Sequence, residues 1–353
     1  MRSIANVITI IAFLLAGTMM LFAQPRLFPV HKLGRGGYID RKGRIVIPLK
    51  FDTVGDFSEG LARVEVNHKW GYINDKGVMV VQPQFSDARE FSEGLARVQV
   101  GGDKYGFHGQ WGFIDKKGTF VIPAQYGELR GIAQNAEGFQ EGLALIEVDY
   151  KKGFIDKNGK VVIEPSLGYG HHFSEGLSCW GGLDGGYGCL DRTGRYVIPP
   201  TFEYLSLFSE GLADGKINGQ CGYVDRTGKV ALIPKFTNDA KGDCSIVNGN
   251  FSEDLSRWRV GSKFGYIDKK GRLVISAKYQ YTDHFTEGLA WVENNGRIGF
   301  IDKKGRMVIK PKKLHHVEPF FGGLAYVVTD DGRHGYIDRT GKYVWRPAKQ
   351  SKP

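Results

Sequence analysis

Short runs of alternating apolar and polar residues recur along almost the whole chain, separated by turn residues. The stretch from Phe57 to Phe85 shows one cycle. Phe57-Ser58-Glu59-Gly60 reads as a corner, and Leu61-Ala62-Arg63-Val64-Glu65-Val66 alternates with the period of two that predicts a strand. Asn67-His68-Lys69 predicts a turn and Trp70-Gly71-Tyr72-Ile73 the returning strand. Asn74-Asp75-Lys76-Gly77 predicts a second turn, followed by a third strand, Val78-Met79-Val80-Val81, closed by Pro83.

The cycle repeats. Gly-Tyr-Ile-Asp or a close variant begins at Gly37, Gly71, Gly112, Gly153, Gly188, Gly222, Gly265, Gly299 and Gly335, at intervals of 34 to 43 residues. A Gly-Leu-Ala block or a close variant precedes each from the second onward, at Leu61, Leu95, Leu143, Leu177, Leu212, Leu255, Leu289 and Leu324, and counting back 34 from Leu61 reaches Leu27. A piece of about 37 residues cannot bury a sufficient core alone, so the units must stack. The expected fold is all-β: a tandem array of about nine short antiparallel meanders, stacked as an open curved solenoid. The alternative is a closed propeller-like ring. Nine units exceed the usual ~4–8 blades, and three strands per unit fall short of the usual four.

The turns explain which residues recur. Asp at the first position of Asp40-Arg41-Lys42-Gly43 or Asp115-Lys116-Lys117-Gly118 can bond backbone amides two residues on, and Gly at the fourth supplies positive φ. All nine copies keep that Gly, and Asn74 is the one departure from Asp. Pro is expected to stop the third strand, as at Pro48, Pro83, Pro123 and Pro165, while Ser276 in the seventh copy predicts a strand one residue longer. Insertions at 101–110, 127–138 and 238–250 break the period and belong to loops. Trp-Gly-Tyr-Ile-Asp, a basic turn, Gly, Val-Ile-Pro, then Phe-Ser-Glu-Gly-Leu-Ala resembles the bacterial WG-containing (KWG) β-repeat, over roughly residues 27 to 347. Only Trp70 and Trp111 give the full Trp-Gly pair; Gly36, Lys152, Tyr187, Cys221, Phe264, Ile298 and His334 stand in the Trp place elsewhere. The resemblance implies β-repeats and no defined reaction.

The start of the chain differs from the rest. Arg2, an apolar run from Val7 to Ala23, and Gln24-Pro25 read as a secretory signal over 1–23, cleaved after Ala23, ahead of a repeat domain over 24–353. The rival reading is an uncleaved anchor. Nothing after Gln24 is apolar enough to span a bilayer. The expectation is an exported chain, in the periplasm, on the outer surface or secreted. The full sequence carries 48 Lys and Arg against 38 Asp and Glu, and removal of Arg2 leaves 47 − 38 = +9. Such a charge favours protein or anionic-polymer partners of the envelope, and export disfavours nucleic acid.

No nucleophile–base constellation, Walker-type loop or metal motif is present in the sequence, so no catalytic residue, cofactor or metal is expected. The periodic acids recur in nearly every unit, whereas catalysis needs one asymmetric set. Glu59, Glu93, Glu141, Glu175, Glu210, Glu253 and Glu287 suit bonds to donors of the next unit or to a basic turn; Gly322 replaces the last. The pairs His171-His172 and His315-His316 read as polar corner residues, since neighbours on a strand face opposite ways. The four cysteines predict Cys179–Cys189 as a cross-strand bond and Cys221–Cys244 as a second; four free thiols are the alternative. The candidate binding edge is the row of turn cations: Arg41, Lys42, Lys116, Lys117, Lys157, Arg192, Arg226, Lys269, Lys270, Lys303, Lys304 and Arg339. The Glu corners are expected at the opposite end of the hairpins, as a separate acidic row. The functional expectation is a non-catalytic binding or structural protein of the envelope. The alternative is a propeller-like enzyme, such as a glycan hydrolase, with its site in a central funnel.

Overall fold

The computed structural model describes residues 27–102, 109–129, 138–181, 185–235 and 249–346, and every regular element among them is a β-strand. The first unit is a sheet of β1 (Phe28–Lys32), β2 (Arg35–Ile39) and β3 (Ile45–Phe51), paired in that order. The second comprises β4 (Thr53–Ser58), β5 (Leu61–Val66), β6 (Lys69–Asn74) and β7 (Met79–Phe85), all antiparallel. The same meander recurs down the chain, and Met307–Val317 serves two consecutive units as one long bent strand.

Two expectations about the unit need correction. Complete units have four strands, because the segment read as part of a corner pairs with the following Gly-Leu-Ala strand, Val54 opposite Val64 and Phe57 opposite Ala62. The bulge between Val54 and Phe57 interrupts the alternation that would have marked it. Nor does Pro end the third strand: Pro48 and Pro83 lie inside β3 and β7. Each sits where the register jumps, between Tyr72↔Val81 and Trp70↔Phe85 in the second unit, so its missing N–H removes no ladder bond. The strand carrying Ser276, Leu273–Tyr279, has the same seven residues and the same jump, so it is no longer than its counterparts.

That jump accounts for the glycine of the recurring motif. A Cβ on Gly71 would lie 2.4 Å from the Val81 carbonyl oxygen, and one on Gly153 would lie 2.5 Å from that of Ile163. The middle strand crosses the bulge of the third strand too closely for any side chain.

Units pack face to face. Ala62, Val64 and Ile73 of the second unit meet Tyr38, Ile47 and Phe51 of the first, while its Leu61 and Tyr72 meet Ala88, Phe91 and Ala96 of the third. Aromatic residues from the fourth-strand corner stand edge-on to the ring in the previous unit, as Phe57 does on Tyr38 and Phe91 on Tyr72, both at 4.8 Å. The glycine of each Asp turn rests on the third strand of the unit before: Gly77 on Ile47, Gly118 on Val81, Gly341 on Ile309.

The two ends of the array meet. Phe28, Val30 and Ile39 of the first unit share a buried cluster with Leu324 and Tyr336 of the last. Tyr336 Oη donates to Pro29 O at 3.0 Å, and Phe28 stacks edge-on against Tyr336 at 5.5 Å. Gly43 packs against Val344, repeating the turn-on-strand contact of the other junctions. Eight junctions would suffice for nine units with free ends; the described core forms nine inter-unit clusters, the ninth joining last to first. The contacts therefore run in a closed circuit, as in the ring alternative, and neither terminal face of the array is left bare.

Candidate binding edge

Each Asp turn is held by its own carboxylate. Asp40 Oδ1 accepts from the amides of Lys42 at 2.9 Å and Arg44 at 3.0 Å, and Gly43, at φ 77°, donates to Asp40 O. Asn74 does the same with its amide oxygen, which explains why Asn is tolerated there. A Thr in the turn adds a bond: the Thr193 hydroxyl, with the backbone amides and Arg195, holds Asp191 down to about 2. Arg44, Arg272 and Arg306 fold back onto the same carboxylates.

The Glu corners are not at the far end of the hairpins. Leu61 pairs with Asn74, so the corner Glu59-Gly60 and the turn beginning at Asn74 share one end of the unit. The expected separation into acidic and basic rows is therefore replaced by interlocking. Glu59 accepts from Gly94 N of the next unit at 3.0 Å and pairs with Lys116 of that same unit at 3.1 Å. Glu93 does so with Gly142 N and Lys157, and Glu253 with Gly288 N and Lys303. Glu210 takes Asp254 N and Lys269, and Glu287 takes Gly322 N, Gly323 N and Arg339. Glu141 and Glu175 bind Gly176 N and Gly211 N, with Arg192 lying against Gly142 and Arg226 against Gly176. These Glu residues adopt positive φ themselves, 51° at Glu59 and Glu93. The clamp ties a strained corner to the next unit. Its spacing was legible in principle, since corner Glu and turn cation recur together.

The first turn cation is thus largely spent on the clamp, while the second is free for other work. Lys42, Lys117, Lys270 and Lys304 are exposed, and no ion pair is formed by their ammonium groups among the described residues. Arg41 is exposed as well; its clamp partner would fall at Gly322, which carries no carboxylate.

Burial raises the Glu93 carboxyl, but Lys157 and the Gly142 amide outweigh it and hold the group below the ordinary range. A depressed carboxyl contributes stability above its unfolded value, lost as pH falls through the folded one. Glu93→Gln, which keeps an acceptor but not the charge, is expected to lower stability by about 0.5–1 kcal/mol at neutral pH. Urea unfolding should show that gap closing in acid; a pH-independent gap would refute the ionic part of the clamp.

Elsewhere, Cys179 and Cys189 are register partners and form a disulfide. Cys221 is also disulfide-bonded, and its predicted partner Cys244 lies outside the described residues. His171 and His172 are partly buried, which lowers both; His315 and His316 are exposed on Met307–Val317. No group of three or more His, Cys, Asp or Glu among the described residues could hold a metal ion. Inserted residues 103–108, 130–137 and 236–248 lie outside the described residues.

Sequence reading missed the charges between units. Trp111 lies between Arg89 and Arg97, 4.6 and 4.4 Å from its ring, and its indole N–H donates to Glu128. Arg63 stacks on Trp70 and binds Glu90 of the next unit at 2.8 Å. The two Trp-Gly copies thus use tryptophan as a platform for arginine, whereas Ile298 and Cys221 in the same place pack into apolar clusters. Asp214 is buried at the sixth junction, 3% exposed, with Ser206 donating to it. Burial pushes its carboxyl up to about 6. A raised carboxyl is the usual sign of a catalytic acid, but this one is sealed in protein.

A sequence model of the family described as "WG containing repeat" matches residues 37–70, 70–105, 111–151, 153–179, 187–221, 264–297 and 298–332. No curated protein matches the chain. Among solved structures, the chain is similar to one titled "Crystal structure of the eukaryotic initiation factor", at 12% identity, covering 92% of this chain and 96% of that one, with a TM-score of 0.63. It also matches BamB from Moraxella catarrhalis at 11% identity, covering 93% and 95%, with a TM-score of 0.46. At such identities the first likeness speaks to the fold alone.

Proposed function

The chain belongs to the WG-containing repeat family, and we propose that it acts as a non-catalytic exported binding protein of the cell envelope, holding an anionic polymer on its turn-bearing end. The observation that carries this reading is the division of labour within the turns: the clamp uses the first cation of most turns and leaves Lys42, Lys117, Lys270 and Lys304 exposed. The four stand at equivalent turn positions of the first, third, seventh and eighth units, and a flexible polyanion can touch several at once. Each exposed charge contributes little, so binding is weak per site, multivalent and sensitive to salt.

Titration of the processed chain with a polyuronate and with neutral dextran, at low and high salt, tests it. The polyuronate should bind and be released by salt, and dextran should not bind. Lys117→Gln alone should weaken binding about twofold, and all four second-position replacements together by more than about tenfold. Lys157→Gln should instead cost stability with little effect on binding. Salt-indifferent binding, or loss of all binding on a single replacement, would point to a discrete pocket.

A further inference from the structure

The third strand of each unit breaks its own alternation at one place. Ile47 of β3 and Val81 of β7 are buried, so the residue before each faces solvent. Alternation calls for a polar residue there, yet Val46, Val80, Val121, Val197, Val274 and Val308 hold that place, each 40–46% exposed. Val162 and Val344 hold it in the fourth and ninth units, and Ala231 in the sixth. One residue earlier, Ile45, Phe120, Tyr196 and Met307 are exposed as well. Neighbouring strand residues face opposite ways, so the start of the strand protrudes on both of its faces. β-Propensity favours Val in a strand, but it would do so over the whole length. Four residues further on, the same strands expose Lys50, Gln84, Gln125, Thr201 and Lys278 instead.

These apolar residues sit beside the Asp turn. Ile39 opposite Ile45, Ile73 opposite Met79 and Ile267 opposite Leu273 are the first pairs after it. The unspent cations Lys42, Lys117, Lys270 and Lys304 each stand four residues before one of the exposed valines. Like units packed head to tail in a closed circuit bring equivalent residues to similar heights around it. The turn-bearing end therefore carries a rim of apolar side chains set beside ammonium groups. The opposite end has no such recurrence: Leu33 and Tyr150 are exposed on two hairpins, but Asn67-His68, Asn218-Gly219 and Asn295-Gly296 form others. We propose that the turn-bearing end docks on an anionic lipid bilayer, its valines and their neighbours entering the interface and its second-position lysines meeting lipid phosphates. The proposal rests on the same turn cations as the reading above and adds a partner that also needs the apolar rim. Charge argues against a second copy, which would bring like cations face to face. A flat, fluid surface can meet every corner of a closed circuit at once.

The chain from Gln24 onward carries every described residue, and its use keeps the apolar run ahead of it out of the experiment. Sedimentation with mixed phosphatidylglycerol–phosphatidylcholine vesicles should pull it down, and pure phosphatidylcholine vesicles should not. Val46→Gln, Val80→Gln, Val121→Gln, Val274→Gln and Val308→Gln combined should weaken vesicle binding at least about tenfold and leave polyuronate binding unchanged. The five positions are exposed, so the melting curve should stay near that of the wild type. Two single variants read insertion without relying on lost binding. Val80→Trp should shift its emission to the blue on vesicles and be quenched by lipids brominated on their acyl chains. Gln84→Trp, about 13 Å along the same strand, should do neither. Absence of vesicle binding, equal binding by the five-site variant, or equal quenching at positions 80 and 84 overturns the proposal. Polyuronate binding without vesicle binding would sink this inference alone, and loss of both would sink the polymer reading with it. Self-association that the five replacements abolish, without vesicle binding, would assign the rim to a second copy.

Discussion

Gly265→Ala should destabilise the protein by about 3 kcal/mol, more than any surface change considered above. The added methyl would lie 2.3 Å from the Ile275 carbonyl oxygen and 2.7 Å from the Ala277 amide nitrogen. Both belong to the backbone of the adjacent strand, so neither can swing aside as a side-chain tip could. Relief requires the third strand to lift off, which breaks the pairings Phe264↔Tyr279 and Tyr266↔Ile275 on either side of the jump. It also pulls Tyr266 and Ile275 from their cluster with Phe285 and Ala290 of the next unit. Gly261→Ala is the control: it lies at φ 58° with nothing within 4 Å of the added carbon, so it pays only the backbone term, about 1 kcal/mol. Thermal unfolding should separate the two variants clearly. A Gly265→Ala protein melting with the Gly261→Ala control would show that the crossing is not as close as described.

The same crossing shows what the sequence could and could not reveal. Recurrence of Gly37, Gly71 and their counterparts gave the number of units and two of the turns, because a turn's needs are local: an acceptor at its first position and positive φ at its fourth. The fourth strand was hidden, because Asp56 and Phe57 fall at a bulge and break the period of two. The role of the Glu corner was half legible. Its recurrence pointed to structure, but which end of the hairpin it occupied depended on the register of Leu61 against Asn74, a tertiary fact. The meeting of the ends was least legible. Phe28 and Tyr336 are more than three hundred residues apart, and the repeat looks alike whether it closes or not. Closure relieves a cost that an open stack carries, the exposure of an apolar face at each end.

Among the junctions so joined, the sixth holds the pH dependence most open to measurement. Asp214 is raised above its usual 3.8 to about 6 by burial, against the opposing hydrogen bond from Ser206 and the charge of Arg257. With its amide nitrogen turned inward, Asn250 also donates to Asp214 Oδ1 at 2.8 Å. A carboxyl with a raised folded pKa favours the protonated fold. Stability from this group is therefore greatest below the unfolded value and declines as pH rises from about 4 through about 6. A shift of about two units corresponds to roughly 3 kcal/mol once the group is ionised. Asp214→Asn removes the titration and keeps an oxygen for Ser206, so the variant should gain on the wild type as pH rises. The two should lie close together near about pH 3.5, and the variant should lead by about 1.5 kcal/mol near pH 5 and about 3 kcal/mol near pH 8. His31, His171 and His172 are lowered by burial and act in the opposite direction, losing stability as pH falls, but equally in both proteins, so they cancel in the difference. Denaturant unfolding of the pair across that range gives the difference directly. A difference that stays constant with pH would mean that Asp214 holds one protonation state throughout, and that its neighbours compensate its charge more fully than these contacts imply.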